Sequence, residues 1–384
     1  MKIADRIANL PPYVFATVEK RIAEQAAKGA DVINLGIGSP DLAPPKFIVD
    51  ALYQSALRPD THGYAGYYGT PALRRAIAAY YQRRFGVELD PNTEVRPLIG
   101  SKEGLANMAL AFVDPGDVVL VADPGYPTYS MGAVMVGGEY YPMPLTEEND
   151  YLVDFEEIPA EVAAKATLMW LNYPNNPTGA GAPMAFLERA VEFAREYDIL
   201  LCYDNPYCDV TFDGYVAPSI LQVSGAKEVA VEFNSLSKTY NMAGWRVGMV
   251  VGNAKAIEAL TTVKTNIDSG IFRPIQDAAV VALTGDQGWL AERNRIYQRR
   301  RDVLLEWLPK AGMSAKAPCG GLYVWAKVPT GVDCEQYALE MLEKAGVWMT
   351  PGTAFGEHGR GYLRLSLCVS EERLREAGER ILRV

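Results

Sequence analysis

Lys238 lies in the run Ser235-Leu236-Ser237-Lys238-Thr239-Tyr240, and Arg246 follows eight residues later in Gly244-Trp245-Arg246. A lysine amine forms a Schiff base with an aldehyde when its surroundings hold the aldehyde in place. The hydroxyls of Ser235 and Ser237 alternate along the chain, so an extended backbone points both to one side. Arg246 offers a planar fork that suits a phosphate dianion. A lysine among phosphate ligands is the chemistry of pyridoxal 5'-phosphate, PLP. The same string also suits a surface lysine in a Ser/Thr-rich turn, so the rest of the chain has to decide between them.

The elements around this run are short apolar stretches of strand length: Asp117 to Ala122, Thr167 to Leu171, Ile199 to Tyr203, Val229 to Phe233 and Val247 to Val251. Helical patterns alternate with them, among them Pro71 to Phe85, with Pro at its start and Leu73, Ile77 and Tyr80 on one face, and Pro183 to Tyr197. Buried strands alternating with amphipathic helices predict an α/β domain with a mostly parallel sheet. Ligands bind such sheets at the carboxyl ends of the strands.

Four groups fall at such ends. Gly100-Ser101-Lys102 precedes the helical pattern Glu103 to Phe112. A turn there presents free N–H groups to a phosphate, although Ser101 also serves as an ordinary helix cap. Tyr126, between Gly125 and Pro127, is placed to stack on a planar cofactor or to fill the core. Asn176 sits in Asn172-Tyr173-Pro174-Asn175-Asn176-Pro177-Thr178-Gly179, a loop stiffened by two prolines. Its amide is a donor for a cofactor oxygen or a substrate carboxylate, or part of a plain turn. Asp204 ends the run Ile199 to Tyr203, with Tyr207 three residues on. A carboxylate at a buried strand end needs a cationic partner, which the protonated PLP ring nitrogen supplies. Tyr207 then reaches the ring's phenolic oxygen. A capping or loop-stabilising Asp204 is the alternative.

The composition narrows the remaining chemistry. The 384 residues are 49% hydrophobic and 22% charged, as expected for a globular enzyme of two domains. A net charge of −10 without a long basic run argues against nucleic acid and anionic membrane surfaces as partners. No apolar stretch reaches transmembrane length, and Met1 to Arg6 lacks an apolar signal core. Five scattered cysteines, with no C-x-x-C pair, read as free thiols of a cytoplasmic protein. Two histidines, His62 and His358, exclude a histidine-rich metal site, so no metal is expected, and they leave the reactive group to an organic cofactor.

From about residue 285 the pattern changes. A long charged helix, Trp289 to Leu308, is followed by strand-like Leu322 to Trp325, a helix near 334–345, strand-like Tyr362 to Leu367 and a last helix. These predict a smaller α+β domain, on which the N-terminal helix around 14–28 can pack. The expected division is 36–284 for the large domain, with 1–35 and 285–384 forming the small one.

Taken in order, these pieces resemble the fold type I PLP enzymes of the class I/II aminotransferases over nearly the whole chain. The marks are NNPTG, the Asp204–Tyr207 pair, and SLSK followed by Arg246. The resemblance implies a large domain with a seven-stranded, mostly parallel sheet. It carries catalytic or cofactor roles onto Asn176, Asp204, Tyr207 and Lys238. It assigns Arg364, in Tyr362-Leu363-Arg364-Leu365, to the substrate α-carboxylate, for which a bidentate fork is apt. Ser101, Lys102 through its backbone N–H, Ser235, Ser237 and Arg246 match positions around the phosphate, and Tyr126 matches the stacking aromatic. Gly38 matches a substrate-facing loop; as a dinucleotide fingerprint its GxG lacks the third glycine. Tyr64 matches a tyrosine that reaches the neighbouring subunit's phosphate, so a homodimer with shared sites is implied.

Within the family, Pro12-Tyr13-Val14-Phe15, IGSKEGLANMALAFVDPGDVVLVADPGYPTY, EFNSLSKTYNMAGWRVG and Lys264 to Gly270 are similar to the LL-diaminopimelate aminotransferase branch, which places Tyr13 among the substrate-binding residues. GSPDLAPP and Ile271-Phe272-Arg273-Pro274 depart from that branch, leaving the substrate open and Arg273 as a group for a distal carboxylate. The expected reaction moves an amino group between an L-amino acid and a 2-oxo acid through a Lys238–PLP Schiff base, with glutamate and 2-oxoglutarate as one pair. A β-lyase, a racemase or decarboxylase on the same fold, and a non-catalytic regulatory module, are the alternatives, because fold alone does not fix reaction.

Overall fold

The structure, a computed structural model, describes residues 1–8, 10 and 14–384. The strands in chain order are β1 (Ile33–Asn34), β2 (Val95–Leu98), β3 (Val118–Asp123), β4 (Glu139–Pro144), β5 (Ala166–Asn172), β6 (Leu200–Asp204), β7 (Ala230–Ser235), β8 (Gly248–Gly252), β9 (Ser314–Ala315), β10 (Tyr323–Lys327), β11 (Val347–Trp348), β12 (Thr350–Pro351) and β13 (Tyr362–Ser366). Seven of them form one sheet in the order β2-β8-β7-β6-β5-β3-β4. β8 pairs antiparallel with both neighbours, and the pairs among β7, β6, β5, β3 and β4 are parallel.

The five expected apolar runs all become strands of this sheet, each starting one residue later than expected except for Ala166–Asn172, which is longer at both ends. The edge strands β2 and β4 escape the apolar criterion. β2 contains Arg96 and Pro97, while β4 is exposed at Glu139 and carries Pro142 and Pro144. Proline belongs at an edge because it cannot donate to a second neighbour.

Helices cover both faces. Pro71–Phe85 has the expected bounds. Thr70 Oγ1 accepts from the Leu73 N–H at 3.2 Å, Pro71 opens the helix, and Gly86 ends it at φ 70°. One face of the sheet packs around Leu120, Leu171 and Tyr203, the other around Val121, Trp170 and Phe233. A further core gathers Leu35, Trp307, Val324, Leu342 and Leu365 around the four-stranded antiparallel sheet β12-β13-β10-β9 and the parallel pair β1-β11. Ile22, from the helix Val14–Ala27, packs on this core.

Candidate active site

β5, β6 and β7 end at one rim of the large sheet, and the loops beyond them enclose a cavity of about 360 Å³. Asp204 is the last residue of β6 and is 4% exposed. Its Oδ2 accepts from the Tyr129 hydroxyl at 2.7 Å, and Tyr129 is stacked on Trp170 with ring centroids 5.0 Å apart. Its Oδ1 has no hydrogen-bond partner. Burial pushes the carboxyl up to about 7, against the pull of the Tyr129 hydrogen bond. Asp204 therefore caps nothing: it is a buried acceptor facing the cavity.

Lys238 lies in the helical turn Leu236–Thr239. Ser235 keeps the extended backbone of β7, but the chain is helical from Leu236, so the two serines do not share the extended stretch expected of them. The Ser235 hydroxyl accepts from the Ser237 N–H at 3.1 Å, and this cap starts a helical turn immediately after β7. Ser235, Ser237 and Lys238 all line the cavity nonetheless. Lys238 Nζ donates to the Gly38 carbonyl at 2.6 Å. Opposite, helix Ser101–Phe112 turns its N-terminus onto the same space, with Gly100, not Ser101, at the capping position. Gly100 has φ 73°, and a Cβ there would collide with the Arg246 guanidinium. Arg246, itself left-handed at φ 57°, donates to the Ala243 carbonyl at 2.8 Å. Glycine thus lets a guanidinium lie against a helix N-terminus, a combination suited to a phosphate.

Three asparagines, one ending β5 and two in the loop after it, divide the work. Asn175 makes the turn, accepting from the Thr178 N–H at 3.1 Å. Asn172 Oδ1 accepts from the Asn176 N–H at 2.7 Å. Asn176 Oδ1 is then placed to accept from Arg364 Nη1 at 2.8 Å, while Arg364 Nη2 donates to the Gly36 carbonyl at 2.6 Å. The guanidinium lies 4.0 Å from the Tyr323 ring centroid and 4.5 Å from that of Phe355. Arg364 is a buried residue of β13 that lines the cavity, not a surface arginine.

The profile of the class I and II aminotransferases matches residues 30–381. The chain belongs to that family. LL-diaminopimelate aminotransferase from Moorella thermoacetica is 52% identical over 384 residues, spanning 100% of this chain and 98% of that one. The enzyme of the same name from Desulforudis audaxviator is 52% identical over 378 residues, spanning 98% and 96%. Among solved structures, substrate-bound BacF from Bacillus subtilis has a TM-score of 0.96 at 40% identity, covering 100% of this chain and 98% of that one. A single mutant of Thermus thermophilus aspartate aminotransferase has a TM-score of 0.93 at 31% identity, covering 100% and 99%. The fold is that of the fold type I enzymes, as the sequence resemblance implied, and the lyase, racemase and regulatory alternatives are not favoured.

Most of the expected site residues of this aminotransferase meet in the one cavity: Gly38, Ser101, Lys102, Tyr126, Asn176, Asp204, Tyr207, Ser235, Ser237, Lys238, Arg246 and Arg364. Tyr126 is half-buried there, its ring edge-on to Tyr129 with centroids 5.7 Å apart, while Tyr129 is the core tyrosine. Tyr207 donates to the Tyr323 hydroxyl at 3.4 Å. Tyr64 stands apart, 92% exposed. Tyr13 lies outside the described residues. Arg273 is not at the cavity: its Nε donates to Asp277 at 2.8 Å, one turn along its own helix. The sequence reading missed Tyr129 and Tyr323. Tyr129 follows Tyr126 by three positions, but its partner is 75 positions away, and nothing local marks either tyrosine.

Proposed function

We propose that this aminotransferase carries PLP on Lys238 and moves the amino group of LL-diaminopimelate, with glutamate and 2-oxoglutarate as the other pair. The observation that carries the cofactor reading is Asp204 Oδ1, a buried carboxylate oxygen without a partner, facing the cavity of Lys238. A protonated ring nitrogen is the missing donor and counter-charge. The glycine-opened recess between Arg246 and the Ser101 helix suits the phosphate. When bound, the cofactor supplies an electron sink for the charge left at the substrate α-carbon.

The chain's residues do the rest. Lys238 Nζ would hold the cofactor and, once free, would carry a proton from the substrate α-carbon to the cofactor's aldehyde carbon; one flexible amine has the reach for both positions. Asp204 keeps a positive charge fixed at the floor of the cavity. Tyr126 and Tyr207, which line the cavity, would cover the ring and donate to its phenolic oxygen. Arg364, oriented by Asn176 and the Gly36 carbonyl, takes the α-carboxylate. Asn176 spends its oxygen on Arg364 and keeps its NH₂ for the ligand. The substrate reading is supported by the LL-diaminopimelate aminotransferases that match this chain over its full length. Arg273 pairs with Asp277 and lies outside this chain's cavity. The working unit in this reading is a cytoplasmic homodimer in which the exposed Tyr64 serves the partner's phosphate. Its domains are 36–284 and 1–35 with 285–384, a division supported by the separate core around Leu35, Trp307 and Leu365.

The test is a spectral half-reaction. Cofactor-loaded protein is mixed with single amino acids, and the visible band is followed. LL-diaminopimelate and glutamate are expected to convert the cofactor to its amine form, and 2-oxoglutarate to reverse it. Conversion by aspartate, alanine or aromatic amino acids without LL-diaminopimelate overturns the substrate. No conversion by any donor overturns the cofactor chemistry.

A further inference from the structure

Arg293 is a buried cation for which the chemistry above has no use. It lies in the first turns of helix Trp289–Trp307 and is 2% exposed. Its Nη1 donates to the Lys238 carbonyl at 2.9 Å and also to the Thr239 carbonyl, and its Nη2 donates to the Asp209 carbonyl at 2.5 Å. Asn294 steers it, accepting from Nε at 3.1 Å and from Nη2 at 2.8 Å, and donates to the same Asp209 carbonyl at 3.0 Å. No carboxylate forms an ion pair with Arg293 among the described residues. The nearby Asp209 carboxylate is taken by Arg84 at 2.8 Å and by the Tyr80 hydroxyl at 2.6 Å. Burial lowers the proton affinity of Arg293, with the Asp209 charge opposing.

An isolated buried guanidinium is costly, and filling this space with an apolar side chain would avoid that cost. What the guanidinium adds is geometry. Its planar fork has fixed donor directions. The carbonyls it holds belong to two different segments. Lys238 and Thr239 end the short turn after β7, where carbonyls lack helical partners. Asp209 belongs to the loop that leaves β6 and carries Tyr207. One rigid group thus spans the amine side and the carboxylate side of the cavity from behind.

We propose that Arg293 is a positioning residue: by joining the backbone of Lys238 and Thr239 to that of Asp209, it sets where Lys238 Nζ stands relative to Asp204 and Tyr207. The proposal rests on the reading of Lys238 as the residue that holds the cofactor. It also makes helix Trp289–Trp307 part of the catalytic geometry, although none of its side chains lines the cavity.

The experiment uses cofactor-loaded enzyme with Arg293→Met and Arg293→Lys. It reads the pH midpoint of the visible band, kcat and KM for glutamate, and the melting temperature. Arg293→Met is expected to lower kcat by about tenfold to a hundredfold, as for a catalytic group displaced by about 1 Å, with KM within about threefold. The visible midpoint is expected to move by at least about half a pH unit, because the charged surroundings of the amine change. Arg293→Lys, which restores donors without the fork, is expected to recover part of both. A lower melting temperature with unchanged midpoint and kcat means a merely structural arginine and overturns the proposal. Should Arg293→Met fail to fold, Asn294→Ala releases the steering contact and is expected to shift the midpoint in the same direction; an unchanged midpoint there overturns the proposal too. Lys238→Ala is the separate control. A normal visible band and turnover in that variant would sink the reading of Lys238 itself, whatever Arg293 does.

Discussion

Strands β6 and β7 lie side by side, and each buries one carboxylate. Asp204 is 4% exposed and Glu232 is 0% exposed. In the register Tyr203 pairs with Glu232 and Asp204 with Phe233, so the two carboxylates point to opposite faces of the sheet. Burial pushes both up to about 7. Their surroundings differ. Glu232 accepts from the Tyr81 hydroxyl at 3.0 Å, the Asn205 amide at 3.2 Å, the Ser219 hydroxyl at 2.5 Å and the Ile220 N–H at 3.1 Å. Asp204 accepts from Tyr129 alone, and its Oδ1 accepts from nothing. A raised pKa therefore does not separate a functional carboxylate from a structural one in this protein. The unsatisfied oxygen does, because buried acceptors without partners are rare and need a reason.

The sharpest way to break this comparison is Asp204→Asn. The amide oxygen can still accept from Tyr129, which leaves an NH₂ group facing the cavity where an acceptor stood. It would oppose a protonated ring nitrogen instead of pairing with it. The expected loss in kcat is at least about a hundredfold, the size found when one preorganised electrostatic contact is removed. The cofactor-free variant is expected to melt no lower than the parent at neutral pH, since a buried carboxyl without a counter-charge has been replaced by a neutral group. A kcat within about twofold of the parent would sink the role given to Asp204.

Glu232→Gln should do the reverse. All four neighbours of Glu232 present donors, and glutamine replaces one acceptor oxygen with a further donor. At least one buried hydrogen bond is lost and a donor is left opposing a donor. The expected cost is about 1–3 kcal/mol of stability. Among correctly folded, cofactor-loaded molecules kcat should stay within about twofold, as Glu232 touches no atom of the cavity. A large kcat loss with an unchanged melting temperature would show that the two carboxylates are not divided as described.

How much of this was legible in the sequence follows from the same distinction between local pattern and distant partner. Helix Pro71–Phe85 was legible to its last residue because its proline start, its apolar face and Gly86 are all local signals. The buried strands were legible as apolar runs. β2 and β4 were not, because edge position permits the prolines and polar residues that hide a strand. Most of the site could be picked out because its residues sit at strand ends and in dense loop strings. The exceptions depend on tertiary pairing. Tyr129 acquires its role from Asp204, 75 positions on, and Arg293 from carbonyls 54, 55 and 84 positions back. The helix Trp289 to Leu308 reads as charged, and composition does not reveal that Arg293, Arg300 and Arg301 are buried in it. Ser235 is extended as expected, but Ser237 is helical, because the Ser235 side chain spends its oxygen on a cap that starts a helical turn.

The smallest expected effect separates the two carboxylates by pH. Each has a folded-state pKa of about 7, above the ordinary 3.8 of Asp204 and 4.5 of Glu232. Between these limits the folded chain keeps protons that the unfolded chain has released, so stability falls as pH rises toward about 7. In cofactor-free protein both groups contribute to this loss. A cation at Asp204 Oδ1 favours the charged carboxylate and returns its pKa toward or below the ordinary value, which removes the Asp204 share. Glu232, on the other face of the sheet, is untouched. The cofactor-loaded enzyme should therefore lose less stability than the cofactor-free protein between about pH 5 and about pH 8, by about 1 kcal/mol or more, since one pKa unit is worth about that much. The Glu232→Gln variant should keep this difference between loaded and free forms while showing a flatter pH dependence in both. Melting curves across that range for the two proteins, each with and without cofactor, test the assignment. Parallel curves for the loaded and free parent would mean that no cation meets Asp204, and the contrast between the two strands would then lose its functional half.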